Sequence, residues 1–247
     1  MLTEKRHQII INLLEEKGIV KLLDLMQSTD SSESTIRRDL TFLEAQGILR
    51  RVHGGAKLVE NKTKEPTYKE KTFKNVQSKK DIAKYASMFI EDNDTVFLDA
   101  GTSTYEIIPY LKEKSVFVVT NGLNHIDALI ENNIDCYMLG GKIKSTTKAV
   151  TGSDAIKSLN KFYFDKAFLG TNGIDKEMGF TTPDTDEAIL KELAVKKSKR
   201  AFILADHSKF NSKTLVKFAE LDEAIIITDS RSNIEDIKDI TEIKVAE

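Results

Sequence analysis

Two stretches of this 247-residue sequence concentrate side chains that can hold an anion. In SESTIRRDLTFLEAQ (32–46), hydroxyl residues and arginines stand close together as Ser34, Thr35, Arg37, Arg38 and Thr41. Arginine is a permanent cation whose planar donors fit a phosphate or the O6 and N7 edge of guanine. Short hydroxyl side chains let a helix approach closely. In LDAGTST (98–104), Gly101, Thr102, Ser103 and Thr104 follow an apolar run. A turn there that opens a helix aims backbone N–H groups and hydroxyls at one spot, which suits a phosphate. The lysine of a P-loop is missing, so this is not that motif. A capped strand-to-helix turn with no ligand explains the same residues.

The elements that position the first group are helices. Ile10, Leu13 and Leu14 share one face of a first helix, and Leu22, Leu25 and Met26 one face of a short second helix. A polar turn, Ser28 to Ser32, leads into a third helix from about Glu33 to Gln46, with Ser32 as N-cap and Gly47 as its stop. Its Ile36, Leu40 and Leu43 form the buried stripe, which turns Ser34, Arg38 and Thr41 to the opposite face, flanked by Thr35 and Arg37. Short helix, turn and second helix make a helix-turn-helix. GILRRVHGGAK (47–57) then reads as a winged hairpin whose Arg50, Arg51, His53 and Lys57 can reach backbone phosphate or the minor groove. Over 35–57, five basic residues outnumber Asp39 and Glu44, so this surface is basic although the whole chain carries a net charge of -2. An ordinary solvated helix face is the alternative.

The second group belongs to a different kind of domain. Residues 58–75 are lysine-rich, carry Pro66 and read as a linker between a reader at 1–57 and a domain at 76–247. From Val76 on, strands expected at 95–99, 115–120, 135–139, 164–169, 200–205 and 224–228 alternate with helical patterns at 76–91, 104–112, 123–132, 153–160 and 185–198. This predicts an α/β fold with three layers, a largely parallel sheet between helices. Such sheets take ligands at the carboxyl ends of their strands. Besides the Gly101 loop, that edge would receive Asn121, Gly141, the run Gly170–Asp175, Gly179–Thr182 and Ala205–Phe210.

Composition narrows the classes. Hydrophobic residues make up 40% of the chain, enough for a core, and Cys136 is the single cysteine, which excludes an intrachain disulfide and a cysteine metal cage. The opening MLTEKRHQIIINLLEEKG has no uninterrupted apolar segment, so it reads as a folded helix and not as a signal peptide. The apolar runs are all far shorter than the ~20 residues of a membrane span. A cytoplasmic protein without metal or cofactor is expected.

The run SESTIRRDLTFLEAQGILRRVHGGA (32–56) resembles the signature of the DeoR family of bacterial transcriptional regulators, and MLTEKRHQII resembles the Gram-positive fructose-operon repressors within it. The loops from Asn75 to Asp229 are similar to the sensor domain of that family, which is itself isomerase/CoA-transferase-like. The resemblance implies a repressor of a sugar-utilisation operon, released from operator DNA by a phosphorylated sugar, fructose 1-phosphate first, and working as a homo-oligomer, dimer or tetramer. It implies that the Gly101–Thr104 loop binds the phosphate or neighbouring hydroxyls, and that Asp175, Glu187 and Lys209 surround the sugar. Asp175 is equally a turn residue, Glu187 equally a first-turn carboxylate, and His207 reads as a structural turn histidine. The alternative is a sugar-phosphate isomerase with an accessory DNA-binding domain. Against it, GIDKEMGFTT (173–182) lacks the basic, glycine-rich segment of those enzymes.

Overall fold

The computed structural model describes residues 2–58 and 65–246. They form two compact units, Met1–Val76 and Gln77–Glu247.

In the first unit α1 (Thr3–Lys17) leads through β1 (Ile19–Lys21) into α2 (Leu22–Thr29) and α3 (Glu33–Ala45). The hairpin β2 (Leu49–Val52) and β3 (Gly55–Leu58) follows, and β3 pairs with both β1 and β2. Ile10, Ile11 and Leu14 of α1 meet Leu25, Ile36, Leu40 and Leu43 in one core. Ser32 caps α3 by accepting from the Thr35 N–H at 3.4 Å. Gly47, at φ +75°, ends the helix: its N–H reaches the Glu44 carbonyl and that of Ile48 the Leu43 carbonyl, the paired bonds of a left-handed C-cap.

The stretch expected to be a bare linker departs from that reading. Residues 59–64 lie outside the described residues, but α4 (Tyr68–Thr72) is a capped helix within the first unit. The Thr67 N–H donates to Glu70 Oε2 at 2.5 Å and the Glu70 N–H to Thr67 Oγ1 at 3.2 Å, and Phe73 packs on the reader's core. The TYKE capping box and a single aromatic outweigh the lysine-rich composition.

The second unit is built on a seven-stranded parallel sheet. Its strands are β4 (Thr95–Leu98), β5 (Phe117–Thr120), β6 (Asp135–Met138), β9 (Phe164–Gly170), β12 (Ser198–Leu204), β14 (Ile225–Asp229) and β15 (Ile243–Ala246). They lie in the order β15-β14-β12-β9-β4-β5-β6. Alternate side chains feed two cores. Phe97, Val119, Phe164, Leu169 and Ile203 face one way, with α8 (Ser153–Leu159) and α9 (Thr185–Lys196). Val96, Leu98, Val118, Phe168, Phe202 and Ile227 face the other, with α5 (Val76–Ser87) and residues around α7 (His125–Glu131).

Three expectations give way here. The helix expected at 104–112 is α6 (Thr102–Tyr105) and a separate 3-10 turn at Ile108–Leu111, because Pro109 cannot continue an α-helix. The runs 170–175 and 179–182 are mostly not loops: β10 (Gly173–Asp175) and β11 (Gly179–Thr182) join β13 (Val216–Ala219) in an antiparallel sheet. The hairpin β7 (Lys142–Ile143) and β8 (Val150–Thr151) also escaped the strand pattern, being two residues a side.

Candidate functional sites: a DNA-facing helix and a polar sheet edge

In the first unit α3 buries Ile36, Asp39, Leu40 and Leu43, and leaves Ser34, Arg37, Arg38 and Thr41 exposed with Thr35 half-buried. What fixes the helix against α1 is a buried ion-pair cluster. Arg6 Nε lies 2.5 Å from Asp39 Oδ2, and His7 Nε2 lies 3.0 Å from Asp39 Oδ1. Burial pushes the Asp39 carboxyl up, but the hydrogen bonds and charges of Arg6 and His7 outweigh it and hold the group below the usual carboxylate range. The buried stripe read from periodicity left Asp39 out, although its place between Ile36 and Leu40 marks it as inward-facing.

The predicted DNA residues fall into two sets. The side chains of Arg38, Arg50, His53 and Lys57 are exposed and make no hydrogen bond or ion pair among the described residues. Two others are tied within the protein: Arg51 Nε donates to Glu44 Oε2 at 2.7 Å and Arg51 Nη1 to Thr41 Oγ1 at 2.9 Å, so these side chains clasp the wing to α3. Arg37 pairs with Glu33, one turn earlier, at 2.7 Å on the surface.

In the second unit the sheet order changes direction beside β4. The chain runs outward through β5 and β6, then returns to place β9 on the other flank of β4. A crevice opens at the carboxyl ends of strands where such a reversal occurs. Asp99 stands at that point, accepting from the Gly170 N–H at 3.1 Å, and Lys191 of α9 donates to Asp99 and, at 2.9 Å, to the Gly170 carbonyl. Neither Asp99 nor Lys191 was singled out from sequence. The i, i+4 spacing of Glu187 and Lys191 puts both on one helix face, but no local pattern points to a partner 92 residues away.

The Gly101 loop is shaped by buried polar groups. Thr104 Oγ1 accepts from the Gly101 N–H at 3.0 Å and lies 2.5 Å from the Asp99 carbonyl, so this hydroxyl builds the turn. Asn121 Oδ1 accepts from the Ala100 N–H at 2.9 Å. His125, also unremarked in the sequence, is fully buried under the loop. A carbonyl can only accept, so its Nε2–H donates to the Gly101 carbonyl (3.3 Å) and its Nδ1 faces Thr120 Oγ1 (2.9 Å). Burial depresses its pKa to about 4 against the Gly101 hydrogen bond and the Asp99 charge, which leaves the ring neutral. Gly122 must be glycine there, since a Cβ would stand 2.8 Å from the His125 ring. Thr102 and Ser103 differ from Thr104: their hydroxyls have no hydrogen-bond partner among the described residues.

The remaining predicted effector residues are distributed along the same unit. Gly141, at φ +151°, brings the backbone so close to Thr151 that a Cβ would lie 2.6 Å from its carbonyl oxygen. Asp175 Oδ1 accepts from the N–H groups of Glu177 and Met178 at 3.0 and 2.9 Å, closing the β10–β11 turn. These backbone bonds, Met178 first, hold its carboxyl below the usual range. Glu187 is buried and accepts from Thr147 Oγ1 at 2.6 Å and Lys144 Nζ at 3.2 Å. Lys209 ends a 3-10 turn just after β12; its N–H donates to the Asp206 carbonyl at 3.0 Å, and its side chain makes no hydrogen bond or ion pair among the described residues. Burial raises the Asp206 carboxyl beside it, but the charge of Lys209, with Ser208 and Lys79, brings it below the usual range. His207 is held by Asp229 at 3.0 Å, as a turn histidine should be. Among the described residues there is no cluster of metal ligands and no helix long and apolar enough to cross a membrane.

Comparison with known proteins finds two family matches along the chain. Residues 6–62 match the DeoR-like helix-turn-helix domain and residues 74–230 the DeoR C-terminal sensor domain. The chain is 48% identical over 229 residues to a protein of Bacillus subtilis named as the uncharacterised HTH-type transcriptional regulator FruR, covering 92% of this chain and 91% of that one. It is 36% identical over 222 residues to a putative aga operon transcriptional repressor of Escherichia coli O157:H7, covering 88% and 82%. Among solved structures, ribose 5-phosphate isomerase A of Methanocaldococcus jannaschii aligns with a TM-score of 0.42 at 16% identity over 55% of each chain. With a helix-turn-helix reader and a parallel-sheet sensor in one polypeptide, the chain belongs to the DeoR family of transcriptional regulators.

Proposed function

We propose that the chain represses a sugar-utilisation operon in the cytoplasm. It binds operator DNA through α3 and the wing, and leaves when a phosphorylated sugar, with fructose 1-phosphate the first choice, occupies the polar edge of the sheet. The observation that carries the reading is the exposed row of α3, where Arg38 stands unpaired beside Ser34 with the free cations of the wing nearby. Free guanidinium groups on a helix that buries its other face suit the major groove. On the sensor side, Thr102, Ser103 and Lys209 keep donors that no protein group uses, and such donors can meet a phosphate. The reader and sensor are taken to join near residue 75. The name of the Escherichia relative, a putative operon repressor, supports repression. A homo-oligomer is expected because one small reader spans only a half-site.

Isomerase chemistry needs a carboxylate free to take a proton from carbon. Glu187, the candidate, is instead occupied by Lys144 and Thr147, which supports a regulator and not an enzyme. The test uses a duplex enriched from a random pool by the wild-type protein. It should be retained in a mobility-shift assay and released by fructose 1-phosphate. Failure to enrich any duplex would overturn the reader; an enriched duplex that no phosphosugar releases would overturn the sensor.

A further inference from the structure

The exposed row of α3 is bracketed on both sides. Taking Arg38 as its centre, Thr41 lies about 60° to one side and Phe42 about 40° to the other, at ~100° per residue. The wing holds the Thr41 side, through Arg51. The other side is held by a segment the sequence had assigned to a linker. The Phe73 ring meets Phe42 edge-on, with centroids 6.5 Å apart and planes at 88°. Phe42 also stacks on His7 at 5.2 Å, and His7 in turn bonds Asp39. A continuous chain of contacts therefore runs from Phe73 through Phe42 and His7 to the buried anchor of α3. The C-terminal end of α3 is met by the same segment: a Cβ on Gly47 would stand 3.2 Å from Glu70 Oε1 of α4.

We infer that Phe73 is a positioning residue for DNA recognition. It touches no base; it fixes the roll of α3 about its axis, so that Arg38 and Ser34 meet the groove, as Arg51 does from the wing. An edge-to-face aromatic pair is favourable beyond its buried area and has a preferred angle, so it restrains rotation as well as separation. Without it, the Asp39 anchor and the apolar stripe still hold α3 in place, but its outer flank is braced from the wing side alone. Residues 65–73 thereby belong to the reader, and a reader cut at residue 57 lacks one of its two braces. The inference rests on the reading that the exposed row of α3 meets operator DNA.

The test compares full-length Phe73→Ala, Phe42→Ala, the double variant, Phe73→Tyr and Arg38→Ala. Each is titrated against the enriched duplex and an unrelated duplex of equal length. Phe73→Ala should weaken binding of the enriched duplex roughly tenfold. Binding of the unrelated duplex, which needs only a basic surface, should not move. Phe73→Tyr, which keeps the ring, should restore the specific affinity. The double variant should be no worse than the weaker single variant, because both remove one contact. Additive losses, or equal losses on both duplexes, would overturn the inference. Arg38→Ala separates the two levels. If Arg38→Ala leaves the enriched duplex bound as before, the face itself is misread; if it weakens binding while Phe73→Ala does not, only the positioning role fails. Should Phe73→Ala not fold, Phe73→Leu, which keeps an apolar side chain on the core without the ring, enters the same cycle, and Phe42→Ala removes the same contact at a residue that is 44% exposed.

Discussion

The reader and the sensor handle polar groups in opposite ways. On α3 and the wing, Arg38, Arg50, His53 and Lys57 reach into solvent with no protein partner among the described residues. At the edge of the parallel sheet most polar side chains already have partners within the protein: Lys191 with Asp99, Glu187 with Lys144, Asn121 with the Ala100 N–H, His207 with Asp229. A surface for a polyanion keeps its cations free, because neutralising phosphates is its task. A site for a small molecule is preorganised, so its buried groups hold the backbone in shape and only a few donors stay open. The contrast also locates each unit's weak point. The reader depends on one buried charge cluster, and the sensor depends on a loop held from below.

Breaking the reader's cluster should have the largest effect. Asp39→Ala leaves Arg6 buried without its carboxylate, and removing one member of a buried pair costs about 3–5 kcal/mol. The low-temperature step of thermal unfolding should therefore belong to the reader and move down, while the sensor's step stays in place. A single shared shift would show that the two units do not unfold independently. The same carboxyl is held below its unfolded value, so its contribution is present at neutral pH and is lost as pH falls through the folded pKa, below the usual carboxylate range.

The next effect tests the sensor's open donors. Thr102 and Ser103 changed together to Ala should leave operator affinity unchanged and abolish induction at ordinary effector concentrations. Hydrogen bonds to a charged group contribute roughly 1.5–3 kcal/mol each. Two lost bonds should raise the effector concentration needed for release by well over ~10-fold. Release at the wild-type concentration in a mobility-shift titration with fructose 1-phosphate would reduce the Gly101 turn to a capped strand end.

A third experiment probes what lies under that loop. His125 has a folded pKa of about 4 and is neutral when buried. The unfolded chain, with its ordinary value near 6.5, takes up a proton first as the solution is acidified. Stability from the neutral ring is thus complete above about pH 6.5 and declines down to about pH 4, by roughly 1.4 kcal/mol per unit and about 3 kcal/mol in all. Urea titrations of the sensor transition from pH 7 to 5 should show this slope, and His125→Gln should flatten it. An unchanged slope in the variant would assign it to another group.

The same contrast explains what the sequence disclosed. Helix periodicity and turn chemistry revealed α3, its Ser32 cap and Gly47 stop, because each depends on local residues. Six of the seven parallel strands were visible as apolar runs, whereas β15 (IKVA) is interrupted by a lysine and mostly not buried. The antiparallel strands β10 and β11 were read as ligand loops because glycines usually mark turns. Here Gly173 and Gly179 sit where a Cβ would stand 2.3 Å from the carbonyl oxygens of Ser212 and Ala219, so close chain approach selects them. Asp175 belongs to the same case, since its carboxylate closes a turn between those strands. Lys191, Asp99 and His125 stayed hidden for the complementary reason. Each finds its partner across the sheet, at sequence separations that no local pattern reports.

The smallest effect separates two adjacent arginines and sharpens what a free cation means. Arg38 has no partner and stands at the centre of the exposed row; Arg37 is turned about 100° away. It is engaged with Glu33 one turn earlier, both side chains being well exposed. A base contact that is lost costs ~1–3 kcal/mol and relaxes specificity, whereas a lost phosphate contact weakens all sequences alike and lowers the salt slope by about one. Arg38→Ala should therefore weaken the enriched duplex and leave the unrelated duplex almost unchanged. Arg37→Ala should cost less, because the free protein already spends that guanidinium on a carboxylate, and its loss should fall equally on both duplexes. Salt titrations of the two variants on the two duplexes decide the matter. If Arg37→Ala is the sequence-selective variant, the row that reads DNA is rotated toward the Glu33 side of α3, and Arg38 becomes the phosphate contact.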